Sequence, residues 1–219
     1  SLTILAGSPP TASASDSPRG TLSTDRALVR AGSPSLIAWE IEIPKAVREV
    51  VDIDPTTGTI VPKQPLTMRV RTLGVAFQSG SKLLPIEAQY AVNSSGWKRF
   101  FYDYGPNVDP TKVLVTTTAK TGDRINFGAR GWSGSWLPFH YTGVADKYVT
   151  VLANGDTPPD FAPAYNQGDI VSFLRPYLDA SGKVRIGPRD LIILWECSTA
   201  KPGNQFFDMQ DIVVLVNFE

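Results

Sequence analysis

Apolar and polar residues alternate with a period of two over much of this chain. In the segment 36–43 every second side chain is large and apolar, and Glu40 and Glu42 occupy two of the positions between them. Similar alternation returns in the segments 66–70 and 84–92. Because successive side chains of a β-strand point to opposite faces, this period predicts strands that each bury one face.

Clusters of turn-forming residues separate the segments with strand patterns, and the turn at 93–96 predicts a hairpin of the segments 84–92 and 97–104. No segment supports an amphipathic helix of more than about three turns, and no repeat of constant period appears. These patterns predict an all-β fold, a single β-sandwich or jelly-roll-like domain of about ten strands with an extended N-terminal segment. The segments are 36–43, 66–77, 84–92, 97–104, 113–118, 124–130, 148–152, 170–174, 184–186, 191–196 and 212–218.

The domain organisation predicted from composition is an arm, residues 1–34, followed by the β-sandwich domain, residues 35–219. Much of the arm consists of Ser, Pro, Thr, Ala and Gly, which bury too little apolar surface to fold alone. Its first residues are apolar and β-prone, namely Leu2, Ile4 and Leu5. They are either a frayed terminus or an exchanged strand that pairs with a sheet edge of the same chain or of another copy.

Several residues are expected in the core. Trp39, Trp97 and Trp195 lie in strand patterns and are interpreted as core side chains. The segment 212–218 is apolar at both alternating sets of positions. A strand of that composition is expected at the centre of a sheet that is covered on both faces.

A scarcity of histidine and cysteine limits the chemistry, since His140 and Cys197 are the single examples of each in 219 residues. A Ser-His-Asp or Cys-His system would have to use His140, and a zinc site with several His and Cys ligands cannot be assembled. The protein is therefore expected to be non-enzymatic. The enzymatic alternative is a carboxylate-only glycoside hydrolase. Its candidate acids are Glu40 with Glu42, or Glu87, all expected on the solvent side of their strands, and Glu196.

Charge bears on the partners of the protein. Lys and Arg together number 21, as do Asp and Glu, so no basic excess is available to neutralise phosphates. Nucleic acid is therefore not expected as a partner. No apolar stretch approaches the roughly 20 residues of a membrane-spanning helix. The high Gly, Pro, Ser and Thr content is typical of secreted or cell-surface β proteins.

An aromatic cluster is the main candidate binding site. Trp132, Trp136, Phe139, His140 and Tyr141 lie within ten residues, in a Gly- and Ser-rich setting typical of a loop. Three interpretations remain open: a lid or part of the core, a protein interface, or a carbohydrate site in which the rings stack on the apolar faces of sugars.

No cofactor is expected, although loops rich in Asp and Asn offer oxygen ligands for structural calcium. None of them matches the twelve-residue calcium loop, and Asp and Asn are also ordinary turn residues. The weak calcium candidates are Asp103, Asn107, Asp109, Asn154, Asp156 and Asp160.

These observations together favour a structural role. The leading hypothesis is a subunit of a self-associating extracellular or cell-surface assembly, such as a filament, sheath or layer, held by strand addition of the N-terminal arm. The first alternative is a carbohydrate-binding module that uses the Trp132–Tyr141 loop. The second alternative is a viral coat subunit. The expected partners are copies of the same chain and a glycan.

Overall fold

The computed structural model describes residues 18–24, 37–159, 173–204 and 206–219. These residues form fifteen strands, a short α-helix α1 (Val47–Val50), and two 3-10 helices at Gly105–Asn107 and Arg175–Tyr177. The strands are β1 (Arg19–Thr24), β2 (Ile37–Glu42), β3 (Val51–Ile53), β4 (Ile60–Pro62), β5 (Leu66–Val75), β6 (Gln78–Ser79), β7 (Lys82–Leu83), β8 (Ile86–Val92), β9 (Lys98–Asp103), β10 (Val115–Ala119), β11 (Ile125–Gly131), β12 (His140–Tyr141), β13 (Val149–Ala153), β14 (Asp190–Trp195) and β15 (Ile212–Phe218).

Two antiparallel sheets form the body of the molecule. One has the strand order β10-β5-β15-β14-β13, and the other has the order β3-β4-β11-β8-β9 with β12 beside β11. Alternating side chains of both sheets meet in one buried core, with Met68 and Val214 from the first sheet and Ile86 and Phe127 from the second. The predicted all-β sandwich is therefore confirmed.

The number of strands exceeds the prediction because five of them are only two or three residues long. Such short strands, among them β6, β7 and β12, hold too few residues for a period of two to be recognised. One predicted strand, 184–186, is present only as an isolated bridge between Leu178 and Val184. Another, 170–174, lies largely outside the described residues.

The five-stranded sheet is covered on both faces. All seven residues of β15 are buried, and this strand lies between β5 and β14, as predicted for the last apolar segment. Its second face packs under Leu174, Phe207 and Met209. Trp195 of β14 is fully buried, which confirms that prediction as well. Within the described residues, no helix is both long enough and apolar enough to cross a membrane.

Strands β1 and β2 pair with each other and form a separate two-stranded sheet, which we call the ribbon. The prediction of a buried face on 36–43 is wrong for the side chains that are described, because Trp39 is 75% exposed and Ile41 and Ile43 are also exposed. The predicted domain boundary at residue 34 falls between two paired strands. In the described residues the buried core begins at Val47.

Candidate aromatic binding face

The aromatic cluster at 132–141 divides between two sides of the six-stranded sheet. Strand β12 pairs with β11, with His140 opposite Ala129 and Tyr141 opposite Gly128. Paired residues project to the same side, and Ala129 belongs to the core, so His140 points inward. Phe139 and Tyr141, which flank His140 in sequence, lie on the outer face. The prediction of a single loop site is therefore corrected, because successive residues in 139–141 lie on opposite sides of the sheet.

Gly128 explains why these two rings lie directly on the sheet. A Cβ atom at this position would be 2.4 Å from Cζ of Phe139 and 2.9 Å from Cβ of Tyr141. Both distances are shorter than van der Waals contact, so any larger residue would push the rings away from the strand. The rings take the volume that a side chain at residue 128 would fill.

Six rings lie on this outer face in two groups of three, and we call them the aromatic strip. The ring centroid of Trp97 is 4.9 Å from that of Phe139, and Phe139 stacks on Tyr141 at 5.7 Å. At the other end, Trp136 lies 5.0 Å from Trp132 in an edge contact. The members of the strip are Trp97, Tyr102, Trp132, Trp136, Phe139 and Tyr141.

A partly buried ion pair lies between the two groups of rings. Tyr102, Glu87 and Arg130 are opposite one another on β9, β8 and β11. The Nε and Nη2 atoms of Arg130 both lie 2.7 Å from Oε2 of Glu87, whose side chain is only 7% exposed. The Arg130 guanidinium also covers the Trp136 ring at 4.2 Å and approaches Phe139 at 5.8 Å. Arginine thus connects rings that do not contact each other.

A second arginine lies at the margin of this network. The Nη1 atom of Arg99 is 3.6 Å from Oε1 of Glu87, and its guanidinium lies 5.4 Å from the Tyr102 ring. Unlike Arg130, it is more than half exposed, so its charge is available to a bound molecule. Glu87 was expected on the solvent side of its strand, but it is buried because these neighbours cover it.

The strip is open to solvent. Four of its rings, Trp97, Tyr102, Trp132 and Trp136, are between 36 and 48% exposed. The prediction that Trp97 belongs to the core is therefore wrong, since its ring packs on Phe139 at the surface. Ring contacts hold each group of three in place, while the outer side presents two aromatic surfaces with the Arg130 guanidinium between them.

His140 lies apart from the strip and has structural partners. Its Nδ1 atom is 2.9 Å from Oδ2 of Asp146, and its ring stacks on Tyr148 at 4.2 Å. The backbone oxygen of His140 accepts a hydrogen bond from Nε1 of Trp195 at 3.2 Å. These contacts hold the ring against the core, so the predicted grouping of His140 with the other aromatic residues is not found.

A polar cleft of about 620 Å³ lies near Asp146 but does not include the strip. Asp54, in its wall, accepts hydrogen bonds from the backbone N–H groups of Thr56 and Thr57 at 2.8 and 2.9 Å. These bonds lower the pKa of Asp54. Arg48, also in the wall, forms an ion pair with Asp156. These polar groups therefore already have partners in the fold.

The first group of calcium candidates forms hydrogen bonds within its own turns. Oδ1 of Asp103 accepts a hydrogen bond from Nδ2 of Asn107 at 2.6 Å. Oδ1 of Asp109 accepts hydrogen bonds from both the hydroxyl and the backbone N–H of Thr111, which lower the pKa of Asp109. These contacts are those of ordinary Asp-containing turns.

The second group behaves in the same way. Oδ1 of Asn154 accepts a hydrogen bond from the backbone N–H of Ile186, and Asp156 accepts one from that of Ala153. Asp160 lies outside the described residues. Where the chain is described, no group of three His, Cys, Asp or Glu side chains is placed to hold a metal ion.

Three acids lie together where β14 ends and β15 begins, an arrangement that sequence patterns did not indicate. Oε2 of Glu196 accepts a hydrogen bond from the backbone N–H of Asp208 at 3.1 Å, and Asp211 accepts one from that of Cys197 at 2.6 Å. Burial, followed by the charge of Glu196, raises the pKa of Asp211 well above its usual value. Burial likewise raises the pKa of the Cys197 thiol. Glu196 is fully buried and Asp211 is 9% exposed, so the cluster lies largely in the interior.

The candidate catalytic acids are not brought together. Glu40 and Glu42 lie on the ribbon, Glu87 is bound to Arg130 on the sheet, and Glu196 is in the interior. The predicted assembly arm, Leu2, Ile4 and Leu5, falls outside the described residues. No family model, curated protein or solved structure matches this chain.

Proposed function

We propose that this protein is a non-enzymatic recognition module that binds a polysaccharide through the aromatic strip. The single observation that carries the proposal is the pair of ring groups, joined by Arg130, that exposes four aromatic side chains on the outer face of the six-stranded sheet. A site made mainly of aromatic side chains binds a ligand without transferring protons. This agrees with the scarcity of histidine in the chain.

The chemistry of the strip suits sugars. Pyranose rings present apolar C–H faces that stack on indole and phenol rings, while their hydroxyls need hydrogen-bond partners at the edge of the stack. Trp97 and Trp136 provide ring surface at two places along the strip, and the exposed Arg99 guanidinium provides donors beside them. An extended chain of several sugar units fits a row of rings better than a monosaccharide would.

The rigidity of the strip also supports binding. The rings contact one another within each group of three, and Arg130, between the groups, is held by two short bonds to Glu87, so little side-chain freedom is lost when a ligand binds. Polysaccharides of this kind are abundant outside cells, and we accordingly propose a secreted or cell-surface location.

Affinity electrophoresis tests the proposal with named polymers. We expect the full chain to be retarded by at least one of soluble xylan, mixed-linkage β-glucan, alginate and pectate. Trp97→Ala and Trp136→Ala should each weaken retardation about tenfold or more, because each removes a stacking surface of roughly 1–3 kcal/mol. Phe206→Ala is the matched control, since Phe206 is 70% exposed and does not belong to the strip.

Two results would contradict glycan binding. One is the absence of retardation by every polymer in the panel at protein concentrations up to about 100 μM, which would leave the strip as a protein interface. The other is a loss of retardation in the Trp variants only when their melting temperature also falls strongly, which would make both rings parts of the core.

The second candidate function is the structural subunit of a self-associating assembly. The observation that favours it is the ribbon, whose large apolar side chains are exposed in a single chain. Strand addition by Leu2, Ile4 and Leu5 is one means of such assembly. If the arm forms the contact, replacing these three residues by Ser should reduce the particle size in light scattering, and if another surface forms it the size should not change.

A further inference from the structure

The two faces of the ribbon differ sharply in polarity. The register places Leu22 opposite Trp39 and Gly20 opposite Ile41. Since paired residues share a face and alternate along each strand, these four residues lie on the same side of the ribbon. Arg19, Thr21, Ser23, Glu40 and Glu42 project from the other side.

The apolar face of the ribbon is open. Leu22 is 66% exposed, Trp39 75%, Ile41 56%, and Ile43, just beyond β2, 77%. A lone two-stranded ribbon is at best marginally stable in water, and three strands or packing against another element are needed for stability. The ribbon pairs with no other described strand. A cover for this face would supply the missing stabilisation.

We infer that the cover is the apolar face of the ribbon of a second copy of this chain. This inference rests on the second candidate function, self-association, and is independent of glycan binding. It places the contact at Leu22, Trp39 and Ile41. Strand addition by the N-terminal arm would instead place the contact at Leu2, Ile4 and Leu5.

The area of the face is sufficient for a small specific dimer. An indole such as that of Trp39 presents roughly 200 Å², and the four side chains together present roughly 500 Å². Two such faces in contact would remove roughly 1,000 Å² from water, which is near the smallest total area of specific interfaces. A dimer with a dissociation constant in the micromolar range is therefore expected.

The distribution of charge permits a contact between identical surfaces. In a two-fold dimer each patch meets its own copy, so any charge on the patch would face a like charge. The apolar face carries none, because Arg19, Glu40 and Glu42 are on the opposite side. Those three side chains would stay in water when two ribbons stack.

The shape of the face is also self-complementary. Gly20 leaves a hollow beside Ile41, since a Cβ there would have only Glu40 O at 3.2 Å and Ile41 Cγ1 at 3.8 Å as neighbours. A two-fold axis along the strands would place Ile41 of the partner subunit over Gly20, and Trp39 of the partner subunit over Leu22. A large side chain thus meets a small one at the hollow, so the two ribbons can approach closely.

Sedimentation velocity of the full chain between about 1 and 200 μM tests the inference. We expect a concentration-dependent monomer–dimer equilibrium. The triple substitution Leu22→Thr, Trp39→Thr and Ile41→Thr should weaken dimerisation about 100-fold or more, because it removes the apolar contact while keeping strand-forming residues. The control Glu40→Gln, on the opposite face, should leave the dimer unchanged.

Further variants separate this inference from its competitors. Leu2→Ser, Ile4→Ser and Leu5→Ser in the full chain should not alter the dimer, and neither should Trp136→Ala. A chain that stays monomeric up to 200 μM, or a dimer lost in the Leu2, Ile4 and Leu5 variant, would overturn the ribbon contact. The melting temperature of the triple ribbon variant, measured as a monomer, should equal that of the wild-type monomer because the ribbon lies outside the core.

Discussion

The aromatic strip and the ribbon both expose tryptophan, but the two are supported in different ways. Trp136 of the strip rests on the guanidinium of Arg130, which is itself bound to a buried carboxylate. Among the described strands, Trp39 of the ribbon is supported only by β1 and β2, and it is about twice as exposed as Trp136, at 75% against 36%.

This difference indicates two kinds of surface. Rings that are pre-positioned by contacts from several strands lose little freedom on binding, which favours recognition of a separate ligand. An amphipathic ribbon with an exposed apolar face becomes more stable when another surface packs against that face, which favours association. Substitutions beneath the strip should therefore lower the stability of the body. Substitutions on the ribbon should leave that stability unchanged.

The largest effect is expected at the ion pair beneath the strip. Arg130→Met removes both short bonds to Glu87, whose side chain is 7% exposed, and leaves its carboxylate with the longer and more exposed ion pair to Arg99 at 3.6 Å. We expect the free energy of unfolding to fall by about 2–4 kcal/mol, as for other buried pairs that lose one partner. Chemical denaturation followed by tryptophan fluorescence would measure it.

Arg99→Met is the control for that experiment. Arg99 also approaches Glu87, but its side chain is 57% exposed and the distance is 3.6 Å, so solvent screens most of the interaction. We expect a change below about 1 kcal/mol. Equal losses in the two variants would mean that Arg130 does not hold the strip in the way described.

A smaller effect is expected from a matched pair of glycines. Gly128→Ala places a Cβ 2.4 Å from Phe139 in the strip, which should cost about 1–3 kcal/mol and lower the melting temperature by several degrees. Gly20→Ala on the ribbon meets its nearest neighbour at 3.2 Å and touches nothing in the body. The second variant should leave the melting temperature of the body unchanged in calorimetry. A similar fall in both would show that the ribbon is part of the body after all.

The strands of the body follow from sequence patterns more completely than the strip does. Alternation in 84–92 and turn residues after it predicted the β8–β9 hairpin, and the two-sided apolar pattern of β15 predicted its central place. Local sequence determines such features. The strip instead joins residues more than thirty positions apart, since Trp97 meets Phe139 only through the pairing of β8 with both β9 and β11.

The ribbon shows a different limit of sequence patterns. The period of two in 36–43 indicates an amphipathic strand but not the element that covers its apolar face. A burial prediction for Trp39 assumed a cover within the same domain, whereas the described structure leaves the side chain exposed. The partner of β2, the strand Arg19–Thr24, has few large apolar residues and was therefore assigned to the arm.

The smallest effect is a change in how the stability of the body depends on pH. Burial and the neighbouring Glu196 raise the pKa of Asp211, so the folded state holds a proton that the unfolded state releases above about pH 4. The stability of the body should therefore fall as the pH rises from about 4 toward the raised pKa of the folded state. The turn carboxyls Asp54, Asp109 and Asp179 have lowered pKa values and act in the opposite sense, losing their contribution as the pH falls below about 4.

Asp211→Asn isolates the interior contribution. An asparagine oxygen can still accept the bond from the backbone N–H of Cys197, and its amide can donate toward Glu196 without a titrating proton. The melting temperature of this variant should therefore decline less between about pH 4 and pH 8 than that of the wild type. Asp54→Asn, in an exposed turn, should keep the wild-type decline over the same range. Dimerisation through the ribbon should not change in either variant, because neither residue lies in the ribbon. An unchanged slope in Asp211→Asn would mean that the folded state does not hold a proton on Asp211 over this range.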